Sequence, residues 1–122
     1  MTIINPEALE KVTAGDKELL ADVAVLFVRL LPELEARMKF GIENGELNEV
    51  ATSAHQLRSR AGYFGATELQ NLSGQLESLA LKNESESLSE IRDLHEQIFS
   101  GIDQMLEELR TLTDLSLIVV DE

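Results

Sequence analysis

The 122-residue chain has no cysteine and no tryptophan, and only one tyrosine, four phenylalanines and two prolines. Without cysteine there is no disulfide framework and no thiolate chemistry. So few aromatic rings, with leucine dominating the apolar residues, argue for an all-helical fold rather than a β-rich one. Cations are scarce as well: 10 Lys and Arg stand against 23 Asp and Glu, a formal charge of -13. Phosphate-backbone binding needs a cationic surface, so nucleic acid is not expected as a partner. No apolar run is long enough to cross a bilayer, and the N-terminal residues lack a charged-then-apolar signal pattern. A soluble, cytoplasmic protein without a membrane partner is therefore expected. A nucleotide-cradling GxxxxGK[ST] loop is also missing, so the chain should not phosphorylate itself from ATP.

What is present is helical periodicity in a length suited to one domain. Pro6 to Val12 reads as a short helix with Asn5 as N-cap and Pro6 in the first position. After a break at Gly15-Asp16, Lys17 to Asn44 forms the longest helix, with Leu20, Val23, Phe27, Leu31, Leu34 and Met38 as its core stripe. Leu19, Leu26 and Leu30 widen that surface enough for a second neighbour, expected to be the short first helix. Pro32 removes one backbone bond, and a bend is expected there rather than a break, because the periodicity continues through it. Asn44-Gly45 ends the helix.

A third helix spans Glu46 to Tyr63 and a fourth Thr67 to Lys82, the latter striped by Leu69, Leu72, Leu76 and Leu79. The polar turn NESES follows, with Ser87 and Glu90 placed as a capping box. The fifth helix, Leu88 to Leu112, carries Ile91, Leu94, Ile98, Ile102, Met105, Leu109 and Leu112. Long amphipathic segments with short connections specify an all-α fold: an antiparallel four-helix bundle with a short N-terminal capping helix, over residues 1–115. Residues 116–122 stand apart. Their LIVVDE run has β-propensity and reads either as an extended segment across the bundle end or as the start of a truncated following domain.

The chain is organised around Ala51 to Gly65, ATSAHQLRSRAGYFG. Val50, Ala54, Leu57, Ala61 and Phe64 make one apolar seam. His55 falls one residue past the seam, about 100° off its axis, anchored by the core yet open to water. Ser59 and Gly62 share its face, and Gly62 accepts a cost of roughly 1 kcal/mol in helix propensity to remove bulk there. Arg58 and Arg60 flank this face in an otherwise acidic chain, which suits a small anion. His95 neighbours Leu94 but lacks a small-residue face and a basic cluster, so it reads as structural.

The segment AHQLRSRAGYFGATEL resembles the signature of the histidine phosphotransfer (HPt) family: His55, Leu57, Arg58, Ala61 and Gly65 fit it, the glycine ten positions after the histidine. The upstream run, including the proline in the long helix and the turn before the third, is also similar, so that the resemblance covers about residues 10 to 110. It implies relay of a phosphoryl group, accepted on Nε2 of His55 from the phosphoaspartate of a receiver domain and passed to another. The protein would then be a phosphoryl carrier rather than a turnover enzyme. Expected partners are response-regulator receiver domains and a hybrid histidine kinase. The family has no metal or other cofactor of its own; Mg²⁺ belongs to the receiver. A monomer is expected.

By the same resemblance Arg58 contacts the phosphoryl group, and Glu77 orients the imidazole through Nδ1; an ordinary helix-face carboxylate is the alternative for Glu77. The chemistry is coherent, since an imidazole attacks only when neutral, with an ordinary pKa of about 6.5. A carboxylate at Nδ1–H fixes the tautomer that leaves Nε2 bare. Family members bind receivers through an apolar surface from the first two helices, so Leu9, Val12, Leu19 and Leu26 are either core or docking patch. Two departures stand out. Ser59 replaces a glycine, where its hydroxyl either crowds the site or donates a bond. Arg60 replaces Ser or Ala and lies about 140° around from His55, at the site's edge or toward the fourth helix. Both motivate an alternative: a helical docking module that binds receivers without transferring. A third reading, a plain helical interaction domain, makes His55 dispensable.

Overall fold

Five helices make up the computed structural model, which describes residues 3–113: α1 (Pro6–Thr13), α2 (Lys17–Asn44), α3 (Leu47–Tyr63), α4 (Thr67–Lys82) and α5 (Leu88–Thr113). None is long and apolar enough to cross a membrane. Local chemistry sets most of their ends. The Asn5 carboxamide accepts from the Glu7 and Ala8 N–H groups, and Asp16 from those of Glu18 and Leu19. These contacts satisfy donors that a helix start leaves unpaired. Gly45 closes α2 at φ 69° and Gly65 follows α3 at φ 63°, both in the left-handed region that favours glycine. α2 runs unbroken through Pro32, whose side chain is exposed. The capping box expected before α5 does not form. The Ser87 N–H is taken by the Glu84 carbonyl at 3.0 Å, in a single 3₁₀ turn over Ser85–Ser87.

α3 packs against α2 and α4, α5 packs against the same two helices, and α1 lies on α2 and α3. The α3 seam is wholly buried, from Val50 to Phe64. Phe64 meets Phe27 of α2 edge to face at 4.2 Å between ring centroids. On α2 the expected stripe is buried from Phe27 to Met38, while Leu20 and Val23 are half-buried. On α4 the stripe is rotated from the expected one. Leu69, Ser73, Leu76 and Ala80 are buried, and Leu72 and Leu79 are only half-buried. A serine can occupy that core line because its Oγ donates to the Leu69 carbonyl at 2.7 Å, leaving no unsatisfied group. The Leu112 side chain and the 116–122 tail lie outside the described residues.

α1 does not cover Leu19 and Leu26, which stay exposed, although Leu9 is core. The reason is where α1 is tied. The Asn5 N–H donates to the Phe64 carbonyl at 2.8 Å. Gly65 also lies directly beneath α1, where an added Cβ would fall 2.7 Å from both Asn5 Cβ and Ala8 Cβ. Just upstream, the Ile3 and Ile4 N–H groups both donate to the Glu108 carboxylate at 2.8–2.9 Å, strapping the chain onto α5.

At Gly41 α2 and α3 approach closely, since a Cβ there would sit 2.6 Å from Val50 Cγ2 and 2.9 Å from the Glu46 carbonyl oxygen. Gly41→Ala is expected to lower the urea midpoint, because overpacking costs about 1–3 kcal/mol. That exceeds the roughly 1 kcal/mol gained in helix propensity. A raised midpoint would mean that the two helices separate freely.

Candidate functional site

His55 projects from α3 between two buried seam residues, Ala54 and Leu57, with its own side chain 57% exposed. Its Nδ1 lies 2.9 Å from Glu77 Oε2 on α4. The second carboxylate oxygen, Oε1, is 3.4 Å from Arg58 Nη1, and Arg58 Nη2 is 3.3 Å from His55 Nδ1. Glu77 is the enclosed member of the trio, its side chain 17% exposed. His55 and Arg58, one turn apart on α3, are thus brought onto one carboxylate of α4 by the α3–α4 packing.

The donor inventory decides the proton's place. A carboxylate only accepts and a guanidinium only donates, while a neutral imidazole has one N–H and one lone pair. The shorter contact, to the anionic Glu77, puts the proton on Nδ1. Nε2 then keeps its lone pair, and it has no hydrogen-bond partner among the described residues. With Nδ1 donating, Arg58 makes no hydrogen bond to it. The guanidinium rests there because Glu77 Oε1 holds it. Its stem crosses Gly74, where a Cβ would be 3.5 Å from Arg58 Cδ. Gly74 belongs to the site and escaped the sequence reading. Its signal was a small residue one turn before Glu77.

Ser59 and Gly62 share the exposed face with His55, and Ser59 makes no hydrogen bond among the described residues. Clearance at Gly62 is smaller than expected, because the Gln70 amide reaches over it and a Cβ would come 2.9 Å from Nε2 of that side chain. Arg60 does not turn toward the fourth helix. Gln56, one turn earlier on the same face, accepts from Arg37 Nη1 of α2 at 3.2 Å. Arg60 therefore lies on the α2 side.

His95 makes a pair of the same chemistry, Nε2 to Glu35 Oε1 at 3.0 Å, between α5 and α2. That ring is only 16% exposed, stands edge-on to Phe99 and has no arginine against it. It ties helices together. Val12 of α1, Leu19 and Leu26 of α2 and Tyr63 of α3 are exposed apolar residues, and the Tyr63 ring stands 6.5 Å from that of Phe27 on α2. Among the described residues no three His, Asp or Glu side chains are grouped to hold a metal ion.

Residues 18–112 match the family model described as the Hpt domain. No curated protein and no solved structure gave a significant match to the chain.

Proposed function

The chain belongs to the Hpt domain family, whose members carry phosphoryl groups on histidine in phosphorelays, and on that premise we propose that His55 is its phosphoryl acceptor. The observation that carries this reading is the 2.9 Å contact from Nδ1 to Glu77 on a ring otherwise open to solvent. Nε2 attacks the phosphorus of a receiver's phosphoaspartate; the N–P bond forms as the P–O bond breaks, and the aspartate leaves as carboxylate. Positive charge that builds on the ring is stabilised through Nδ1–H by Glu77. Arg58, one turn away and loosely held, turns its fork from Glu77 to the phosphoryl oxygens. The receiver brings the Mg²⁺ and most of the charged pocket. Reversal of these steps on a second receiver completes the relay, and a hybrid histidine kinase is the upstream source.

The receiver docks on the exposed apolar residues Val12, Leu19, Leu26 and Tyr63. An antiparallel four-helix bundle is the arrangement we infer for α2–α5, supported by their contacts around a closed ring and by the short connections. A cytoplasmic monomer fits this carrier role.

The test is incubation with purified, phosphorylated receiver domains from the same cell. Acid-labile, alkali-stable phosphate on this chain is expected. Binding without label would make it a docking module instead, and neither would leave a plain helical interaction domain. Ser59→Gly is expected to leave transfer unchanged or a few-fold faster, because the Ser59 hydroxyl makes no hydrogen bond among the described residues and adds bulk. A marked loss in single-turnover rate would show that its hydroxyl takes part.

A further inference from the structure

Arg60 is half-buried and makes no ion pair or hydrogen bond among the described residues. Arg37, the other half-buried arginine, is held by Glu49, and the exposed Arg58 and Arg110 are held by Glu77 and Glu107. The other cations without a partner among the described residues, Lys11, Lys17, Arg29, Lys39, Lys82 and Arg92, are all exposed. Arg60 alone among them has given up part of its hydration without gaining a carboxylate. Such a group is poised to gain from an incoming anion.

Its position says which anion. Arg60 follows Ser59, which shares the His55 face, and lies one turn before Tyr63. Tyr63 is exposed and stands 6.5 Å, ring to ring, from Phe27, whose neighbour Leu26 is 54% exposed. The guanidinium therefore borders an apolar patch on a chain of formal charge -13. A surface that covers His55, Tyr63 and Leu26 also covers Arg60.

We propose that Arg60 selects the partner by pairing with a carboxylate on the receiver domain that docks over His55, Tyr63 and Leu26. The inference rests on the reading of His55 as a site met by receivers. An Asp or Glu side chain matches the planar guanidinium fork in two parallel bonds. The apolar border excludes water from that pair and strengthens it. Elsewhere the acidic surface repels carboxylates, so a receiver with its acid out of register is disfavoured twice.

The experiment measures Kd and single-turnover transfer for the wild type, Arg60→Gln and Arg60→Glu. Each is run against the cell's receiver domains purified singly, at low and high salt. For the receiver that binds the wild type most tightly, Kd is expected to weaken about 10-fold in Arg60→Gln and about 100-fold in Arg60→Glu, with a smaller salt dependence. Circular dichroism establishes that both variants are folded. Replacing the facing acid of that receiver by Lys is expected to restore binding to Arg60→Glu, which a merely structural arginine would not allow. Equal Kd and rate for all three proteins across the receivers would overturn the proposal alone. If the wild type binds but takes no label, the relay reading falls while Kd still decides Arg60. If the wild type binds none of them, both fall.

Discussion

His55→Gln is expected to remove all transferable label from the protein while leaving its melting midpoint near that of the wild type. Glutamine offers an amide in place of the ring, and an amide nitrogen has no free lone pair with which to attack phosphorus. The stability expectation follows from location. The ring is more than half exposed, and substitutions at such sites stay within about 0.5 kcal/mol. The glutamine amide still reaches toward Glu77, so the carboxylate is not stranded. His95 remains in the variant as an internal control, paired with Glu35. Residual label after transfer from a receiver would mean that a second histidine accepts phosphate, and the assignment to position 55 would fall.

Glu77→Ala is expected to slow transfer by about 10- to 100-fold without unfolding the helices, the loss typical when the group behind a working imidazole is removed. The geometry gives a specific cause. Once the carboxylate is gone, Nδ1–H has lost its acceptor, and the Arg58 guanidinium that the same carboxylate held is released to donate to Nδ1. A guanidinium can only donate, so Nδ1 becomes an acceptor and the proton moves to Nε2. The nucleophile is then masked by its own tautomer. ¹⁵N NMR of the ring should report Nδ1–H in the wild type and Nε2–H in the variant. Glu77→Gln retains an acceptor oxygen and should be milder. An unchanged rate in Glu77→Ala would return Glu77 to an ordinary surface carboxylate.

How much of this could be read in advance depended on range. The limits of α2 and α4 and the α3 seam were legible, because glycine, asparagine and apolar spacing act within a few residues. The α4 stripe was misread toward Leu72 and Leu79, since a pattern of leucines does not reveal that Ser73 can be buried once it bonds to its own helix. Gly41, Gly74 and the Ile3–Glu108 strap were not legible. Each depends on a partner that only the packing brings near. Glu77 was found through resemblance rather than spacing, because 22 residues separate it from His55. For Arg60 the sequence left open the site's edge or the fourth helix, as an angle on one helix does not say which neighbour stands at it, and the Gln56–Arg37 contact favours the α2 side. Leu19 and Leu26 were expected beneath α1, yet α1 is anchored to Phe64 and Gly65 and leaves them bare.

The strap has a consequence for chain connectivity. Ile3 and Ile4 bond to Glu108, so residues from the beginning and the end of the described chain meet at one place. A circular permutant of the described helices would be linked from the end of α5 to Ile3 near that place and be opened in the turn between Lys82 and Leu88. α3 and α4 would then stay consecutive, with His55, Arg58 and Glu77 on one uninterrupted stretch. The break would fall in the turn after Lys82, where the backbone already changes direction, and so beyond Glu77, the last site residue.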